Sequence, residues 1–247
     1  RSTSKLKLEV WGNQKSLKLY GDFPQLFWRS VVQQTSKIHM TKTTVREQYD
    51  RMAAKYDRRW SSYITNTLSF LQDWTQISPQ DKVLDIACGT GEFERLVLTQ
   101  QPTQEIMGVD ISERMLAIAR QKLYTYPNVS FHTAPASALP FPDRSFDIVV
   151  SASSFHYFED PVAALVEMKR VLQPHGRVVI LDWCKDYLLC RLCDLALKFF
   201  DPAYQQCYTE AEFHQLLELA GFDIHRATRF RFNVVWGMMV ATATIHN

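Results

Sequence analysis

Asp85, Gly89 and Gly91 fall within one short run, VLDIACGTGEF (83–93), and Asp110 closes a second run, IMGVD, nineteen residues beyond Gly91. Carboxylates accept hydrogen bonds from hydroxyls and attract cations. Glycines reach positive φ and let a ligand approach the backbone with no Cβ in the way. Types and spacing together suit an organic ligand with hydroxyls, held against a turn between a strand and a helix.

Three ligand classes use such a turn. A dinucleotide site requires G-x-G-x-x-G with a helix N-terminus facing a pyrophosphate. Here position 94 is Glu and Glu92 also lies in the first helical turn, so two carboxylates would oppose a phosphate. A P-loop requires Gly-Lys-Ser/Thr, which does not follow. S-adenosylmethionine carries a sulfonium, an ammonium and a ribose but no phosphate, and it fits the acids. Asp85 would hold the ammonium, directly or through water. Asp110 would accept the two ribose hydroxyls, each charge-assisted bond contributing about 1.5–3 kcal/mol. Ile111 and Met115 would pack on the adenine. Taken singly, either aspartate reads equally well as a cap or turn residue.

The elements that must position these residues alternate. The pattern predicts strand 82–87, helix 91–100, strand 105–109, helix 112–124, strands 128–133 and 146–151, helix 161–172 and strand 177–183. Strands separated by helices pair in parallel, which gives an α/β fold with an open, doubly wound sheet. Ser112 and Asp160-Pro161 mark helix starts, Gly176 reads as a helix stop, and Thr209 with Glu212 forms a capping box. Two C-terminal strands, FDIHRATRFRF and NVVWGMMVATATI, make seven in all and add an antiparallel hairpin. Before the first strand, Val45, Tyr49, Met52, Ala53, Tyr56 and Trp60 share one face of a helix, and a second helix spans 64–74. Residues 184–207 read as an apolar helical cap.

Charge separates the chain into two parts. Of 28 Lys/Arg and 26 Asp/Glu in 247 residues, residues 1–39 hold seven and two, which leaves 21 against 24 in the remainder. The main body is mildly acidic, which argues against a broad nucleic-acid footprint. Residues 1–39 read either as an appended hairpin or basic arm, or as foreign sequence ahead of a start at Met40. Residues 40–247 form the principal domain. Five cysteines in a long chain argue against a disulfide framework. With no apolar run long enough to span a bilayer and no signal peptide, a cytoplasmic protein without an integral membrane segment is expected.

Four segments in order, DIACGTGEF, GVDIS, ALPFPDRSFDIVVS and EMKRVLQPHGRVVI, resemble the motifs of class I S-adenosylmethionine-dependent methyltransferases. Over about residues 44–245 the chain looks like the type 11 group, which includes the ubiquinone and menaquinone C-methyltransferases. The resemblance implies a Rossmann-like fold with Asp85, Ala87, Gly89 and Gly91 around the methionine portion and Asp110 on the ribose. It also implies Ser151 and Ala152 facing the methionine moiety, and Tyr56 as an aromatic lid over the cofactor. One departure stands out. The family's acid pair before the LPF proline is replaced by Pro135 and Ser137 around Ala136, so backbone carbonyls or the Ser137 hydroxyl must receive the adenine amino group.

The implied reaction is an in-line methyl transfer to a small, apolar or aromatic molecule. It depends on alignment more than on acid–base groups. Should a base be used, His156 in SSFHYFED is the candidate, with orientation of the loop as its alternative role. Phe155 and Tyr157 read as pocket walls. Cys190-x-x-Cys193 lacks a second close Cys/His pair, so no metal site is expected, though a thiol role toward substrate stays open. Two other functions compete: an RNA methyltransferase, and a non-catalytic S-adenosylmethionine-binding protein. Acceptor atom and oligomeric state have no signature in the sequence.

Overall fold

The computed structural model describes residues 45–232 and 236–246. Both readings of residues 1–39 lie outside the described residues. The first helix, α1 (Val45–Met52), passes through a 3-10 turn (Ala53–Lys55) into α2 (Tyr56–Thr75). The break therefore falls eight residues earlier than the expected gap before Ile64. No Gly or Pro interrupts 45–75 to signal it. Tertiary packing supplies the cause, because α1 and the 3-10 turn both rest on α4 (Glu113–Lys122).

The alternating region follows as β1 (Val83–Ile86), α3 (Glu92–Gln100), β2 (Ile106–Asp110), α4, β3 (Val129–Thr133), β4 (Phe146–Ala152), α5 (Pro161–Val171) and β5 (Leu172–Trp183). Ser112 accepts the Met115 N–H and Asp160 accepts the Ala163 N–H, so both predicted starts are capped by side chains. Gly176 is not a helix stop. It lies inside β5, where a Cβ would stand 2.9 Å from the Asp147 carbonyl oxygen, so close strand packing requires the glycine. After β5 come α6 (Leu188–Phe200), α7 (Glu210–Leu219) with the Thr209–Glu212 capping box formed, β6 (Phe222–Phe232) and β7 (Trp236–Ile245).

The seven strands are ordered β3-β2-β1-β4-β5-β7-β6. β1 to β5 pair in parallel, and β7 runs antiparallel between β5 and β6. The last strand takes the inner place because WGMMVATATI is apolar along almost its whole length, while β6 is half exposed, its Arg229 and Arg231 alternating with the partly buried Phe230 and Phe232. The core lies on both faces of the central strands, with Leu84, Ile86, Val149 and Ile180 almost completely buried against Leu165 and Met168 of α5. Strand order reverses between β1 and β4, so the crevice beyond their carboxyl ends is the natural ligand position.

Candidate active site

A cavity of about 720 Å³ opens at that crevice. Small-molecule sites span roughly 300–1,000 Å³, so it can hold a nucleoside-sized donor with an acceptor beside it. Its floor is the end of β1 and the turn after it, contributed by Ile86, Ala87 and Gly89. Both Ala87 (φ 60°) and Gly89 (φ 57°) are left-handed, and a Cβ on Gly89 would meet nothing within 4 Å. That empty space faces the cavity and suits a ligand lying on the backbone.

Asp110 ends β2 on the cavity wall. Its Oδ2 accepts the Gly89 N–H at 2.9 Å and its Oδ1 the Ser112 N–H at 2.8 Å. These bonds aim the carboxylate and leave each oxygen a further lone pair for a ligand hydroxyl. Burial pushes its pKa up to about 6, against the opposing pull of these backbone donors. Ser112 in turn donates to Asp50 at 2.6 Å, which ties α1 to the loop after β2.

Not every sequence-predicted residue reaches the cavity. Tyr56, Ala87, Gly89, Asp110, Ile111, Ala136, Ser137 and Ala152 line it. Asp85, Gly91, Met115 and Ser151 do not. Ser151 is buried and its hydroxyl donates to the Ile86 carbonyl at 3.0 Å, joining β4 to β1. Gly91 caps α3 at φ 76° with Ala119 only 3.0 Å from its hypothetical Cβ, so it serves helix packing. Asp85 is buried beneath the loop, where burial and the neighbouring Glu94 hold its carboxyl well above the usual range.

The two glutamates present less negative charge than their positions suggest. Glu92 pairs with Lys122 and with Arg95 at 2.8 Å. Glu94 is fully buried, both its oxygens lack a hydrogen-bond partner, and burial raises its pKa to about 8. Charge repulsion of a phosphate is therefore weaker here than the bare sequence indicates.

His156 is 2% exposed and does not line the cavity. It stands in a short 3-10 turn (Phe155–Tyr157), stacked 4.3 Å from Trp183. Its Nδ1 donates to Asp182 Oδ1 at 2.6 Å, and its backbone N–H to Asp182 Oδ2 at 2.9 Å. This pair fixes the turn that carries the next residue, Tyr157, into the cavity. The Tyr157 hydroxyl donates to Asp201 at 3.2 Å, and its ring meets Tyr49 edge-on at 5.6 Å. Tyr49 and Tyr56 lie 6.0 Å apart, so three tyrosines surround one end of the cavity. Burial raises the pKa of all three phenols, which therefore stay neutral at ordinary pH.

Sequence reasoning left Tyr49, Asp50, Ser153 and Phe158 out of the site, though all four line the cavity. For Tyr49 the signal was present, since it shares a helix face with Tyr56. Asp50 and Ser153 gave none. The cap expected over 184–207 is helical only from Leu188 to Phe200, and no residue of 184–207 lines this cavity. Four of the five cysteines are buried. Cys184, Cys190 and Cys207 donate to oxygens of Asp186, Gly237 and Trp183, and burial raises their pKa values.

Comparison with known proteins fits this geometry. Residues 84–180 match a methyltransferase-domain family. The chain is 32% identical over 195 residues to the demethylmenaquinone methyltransferase of Staphylococcus aureus, covering 74% of this chain and 79% of that one. A SAM-dependent methyltransferase from Thermotoga maritima superposes with TM-score 0.64 at 23% identity, covering 79% of this chain and 97% of that one. An S-adenosylmethionine-dependent methyltransferase from Mesorhizobium loti does so with TM-score 0.60 at 18% identity, covering 73% and 99%. The doubly wound sheet, its antiparallel hairpin and the donor S-adenosylmethionine all agree with these relatives. Built on that sheet around that donor, this chain belongs to the type 11 group of class I S-adenosylmethionine-dependent methyltransferases.

Proposed function

We propose that the enzyme methylates a small apolar or aromatic acceptor, with donor and acceptor sharing the one cavity. The observation that carries this reading is the cavity's two-part lining. The glycine turn and Asp110 stand at one side, and Tyr49, Tyr157 and Phe158 stand with them in the same enclosure. The relative that is named a demethylmenaquinone methyltransferase supports an acceptor of quinone-like chemistry.

S-adenosylmethionine supplies an electrophilic methyl group on a sulfonium. The chain's own residues bind, align and exclude water. Asp110 accepts from the ribose, Gly89 and Ala87 leave the backbone open to the methionine portion, and Ile111, Ala136 and Ser137 border the adenine. The tyrosine faces attract the sulfonium by cation–π contact, about 0.5–2 kcal/mol. Asp85 acts from beneath the loop as a positioning group, and His156 positions Tyr157 through Asp182. Proximity and orientation can lower a barrier by about 7–11 kcal/mol, so this arrangement operates without a dedicated base.

Transfer of labelled methyl groups to separate lipid, polar-metabolite and RNA extracts tests the reading. Label in the lipid fraction is expected. Label confined to polar metabolites or RNA would refute it, and cofactor binding with no transfer to any fraction would favour a non-catalytic protein.

A further inference from the structure

The helix α6 (Leu188–Phe200) is turned inside out. Among the described residues, eleven large apolar side chains are exposed, and six of them belong to this one helix. Leu188, Leu192, Leu195 and Phe199, at spacings of four, three and four, form a single stripe with exposures of 70%, 55%, 57% and 78%. The helix's one carboxylate faces the other way. Asp194 is 5% exposed and accepts from Tyr204 Oη and the Cys207 N–H, both at 2.8 Å. Lys198 and Lys185 approach it at 3.1 and 3.4 Å. These inward bonds fix the helix rotation, so the leucines cannot roll under cover without unpairing a buried acid.

We infer that α6 is an interfacial helix that seats the enzyme on an anionic lipid surface. An apolar stripe with basic residues on its flank is the pattern of helices that lie in the plane of a bilayer surface. Arg191 borders the stripe with no carboxylate of the helix exposed beside it, while Lys198 on the same flank is held by Asp194. Arg231 stands 4.6 Å over the Tyr187 ring, where the helix begins. Thirteen residues rise about 20 Å, too short to span a bilayer but ample to lie on one. A second copy is a poorer occupant, because pairing two such stripes brings the Arg191 side chains together with no exposed carboxylate of the helix to offset them.

The position relates this surface to the cavity. Asp201, immediately after α6, accepts from Tyr157 and from Gln48 of α1, and Tyr157 lines the cavity. Docking through α6 would thus set the lipid phase next to the acceptor wall. This purpose rests on the reading of an apolar acceptor, whereas the docking itself is tested without one.

Flotation of the full chain with phosphatidylcholine vesicles, with and without about one-third phosphatidylglycerol, reads partition directly. The wild type is expected to float with the anionic vesicles and only weakly with the neutral ones. Joint Leu192→Gln, Leu195→Gln and Phe199→Gln replacement should reduce partition about tenfold or more while cofactor affinity and melting temperature hold. Arg191→Gln should weaken the preference for anionic vesicles. Absence of partition by the wild type, or undiminished partition by the triple variant, overturns the inference. So does a dimer by sedimentation velocity that the triple variant converts to monomer, which would assign the stripe to a second copy. No methyl acceptor enters this assay, so its failure leaves the methyl-transfer reading standing, and failed transfer leaves the docking result standing.

Discussion

Glu94 should make the enzyme less stable as pH rises. It lies beneath the cofactor loop, fully buried, with neither oxygen hydrogen-bonded. A Cβ on Gly108 of β2 would stand 2.6 Å from its Oε1, so the missing side chain there makes the room that the carboxyl occupies. Burial raises its pKa from 4.5 to about 8, partly offset by its backbone and by Lys122. A raised carboxyl binds its proton more tightly when folded. Between those two values the unfolded chain releases the proton and the folded chain keeps it, so stability falls with increasing pH. The slope is about 1.4 kcal/mol per pH unit, which gives about 3 kcal/mol lost by pH 7 and about 5 by pH 9, relative to pH 4. Glu94→Met fills similar volume without a charge. Urea unfolding of both proteins from pH 5 to 9 reads Glu94 as a difference that includes its coupling to Asp85, which has the same sign because Glu94 helps to raise the Asp85 carboxyl. The variant should gain on the wild type steadily up to about pH 8 and then level off. A constant difference across that range would refute the burial argument.

Asp110→Ala should weaken cofactor binding by about 2 kcal/mol, some thirtyfold by calorimetry, and should also destabilise the fold because the Gly89 and Ser112 N–H groups lose their acceptor. Cofactor affinity should fall as pH drops through about 6, where Asp110 gains a proton and loses an acceptor site, a trend that calorimetry across pH 5–8 would check. The two glycines should separate by degree: both substitutions strain a left-handed backbone and lower the melting temperature, Gly91→Ala further because its Cβ meets Ala119, whereas Gly89→Ala also reduces cofactor affinity. Asp182→Ala strips the acceptor from His156 and should cost about 2–4 kcal/mol of stability in urea unfolding. His156→Asn should lower kcat while cofactor affinity changes little, because the turn that carries Tyr157 loses its side-chain bond to Asp182, and an unchanged kcat would refute this positioning role.

Order along the chain was legible because it rests on local signals. Period-two and period-3.6 patterns, the caps at Ser112, Asp160 and Thr209, and the glycine turn each arise from a few neighbouring residues. The break at Ala53–Lys55 was not legible, since packing on α4 imposes it with no breaker in the sequence. Gly176 misled for a related reason: glycine marks both helix ends and close strand approaches, and only the Asp147 carbonyl beside it decides between them.

By itself the sequence determined the alternation of strands and helices, the glycine turn and the acid at the end of β2, and with them a site for a cationic methyl donor. Tertiary structure alone decided which groups border that site. A side chain's exposure depends on partners far along the chain: Asp182 draws His156 inward, Gly108 makes room for Glu94, and Ser112 brings Asp50 of α1 to the cavity. The same holds for α6, whose leucines would ordinarily be assigned to a core. Asp194 turns them outward because a buried carboxylate must keep its donors, and Tyr204, Cys207 and two lysines stand on only one side of the helix.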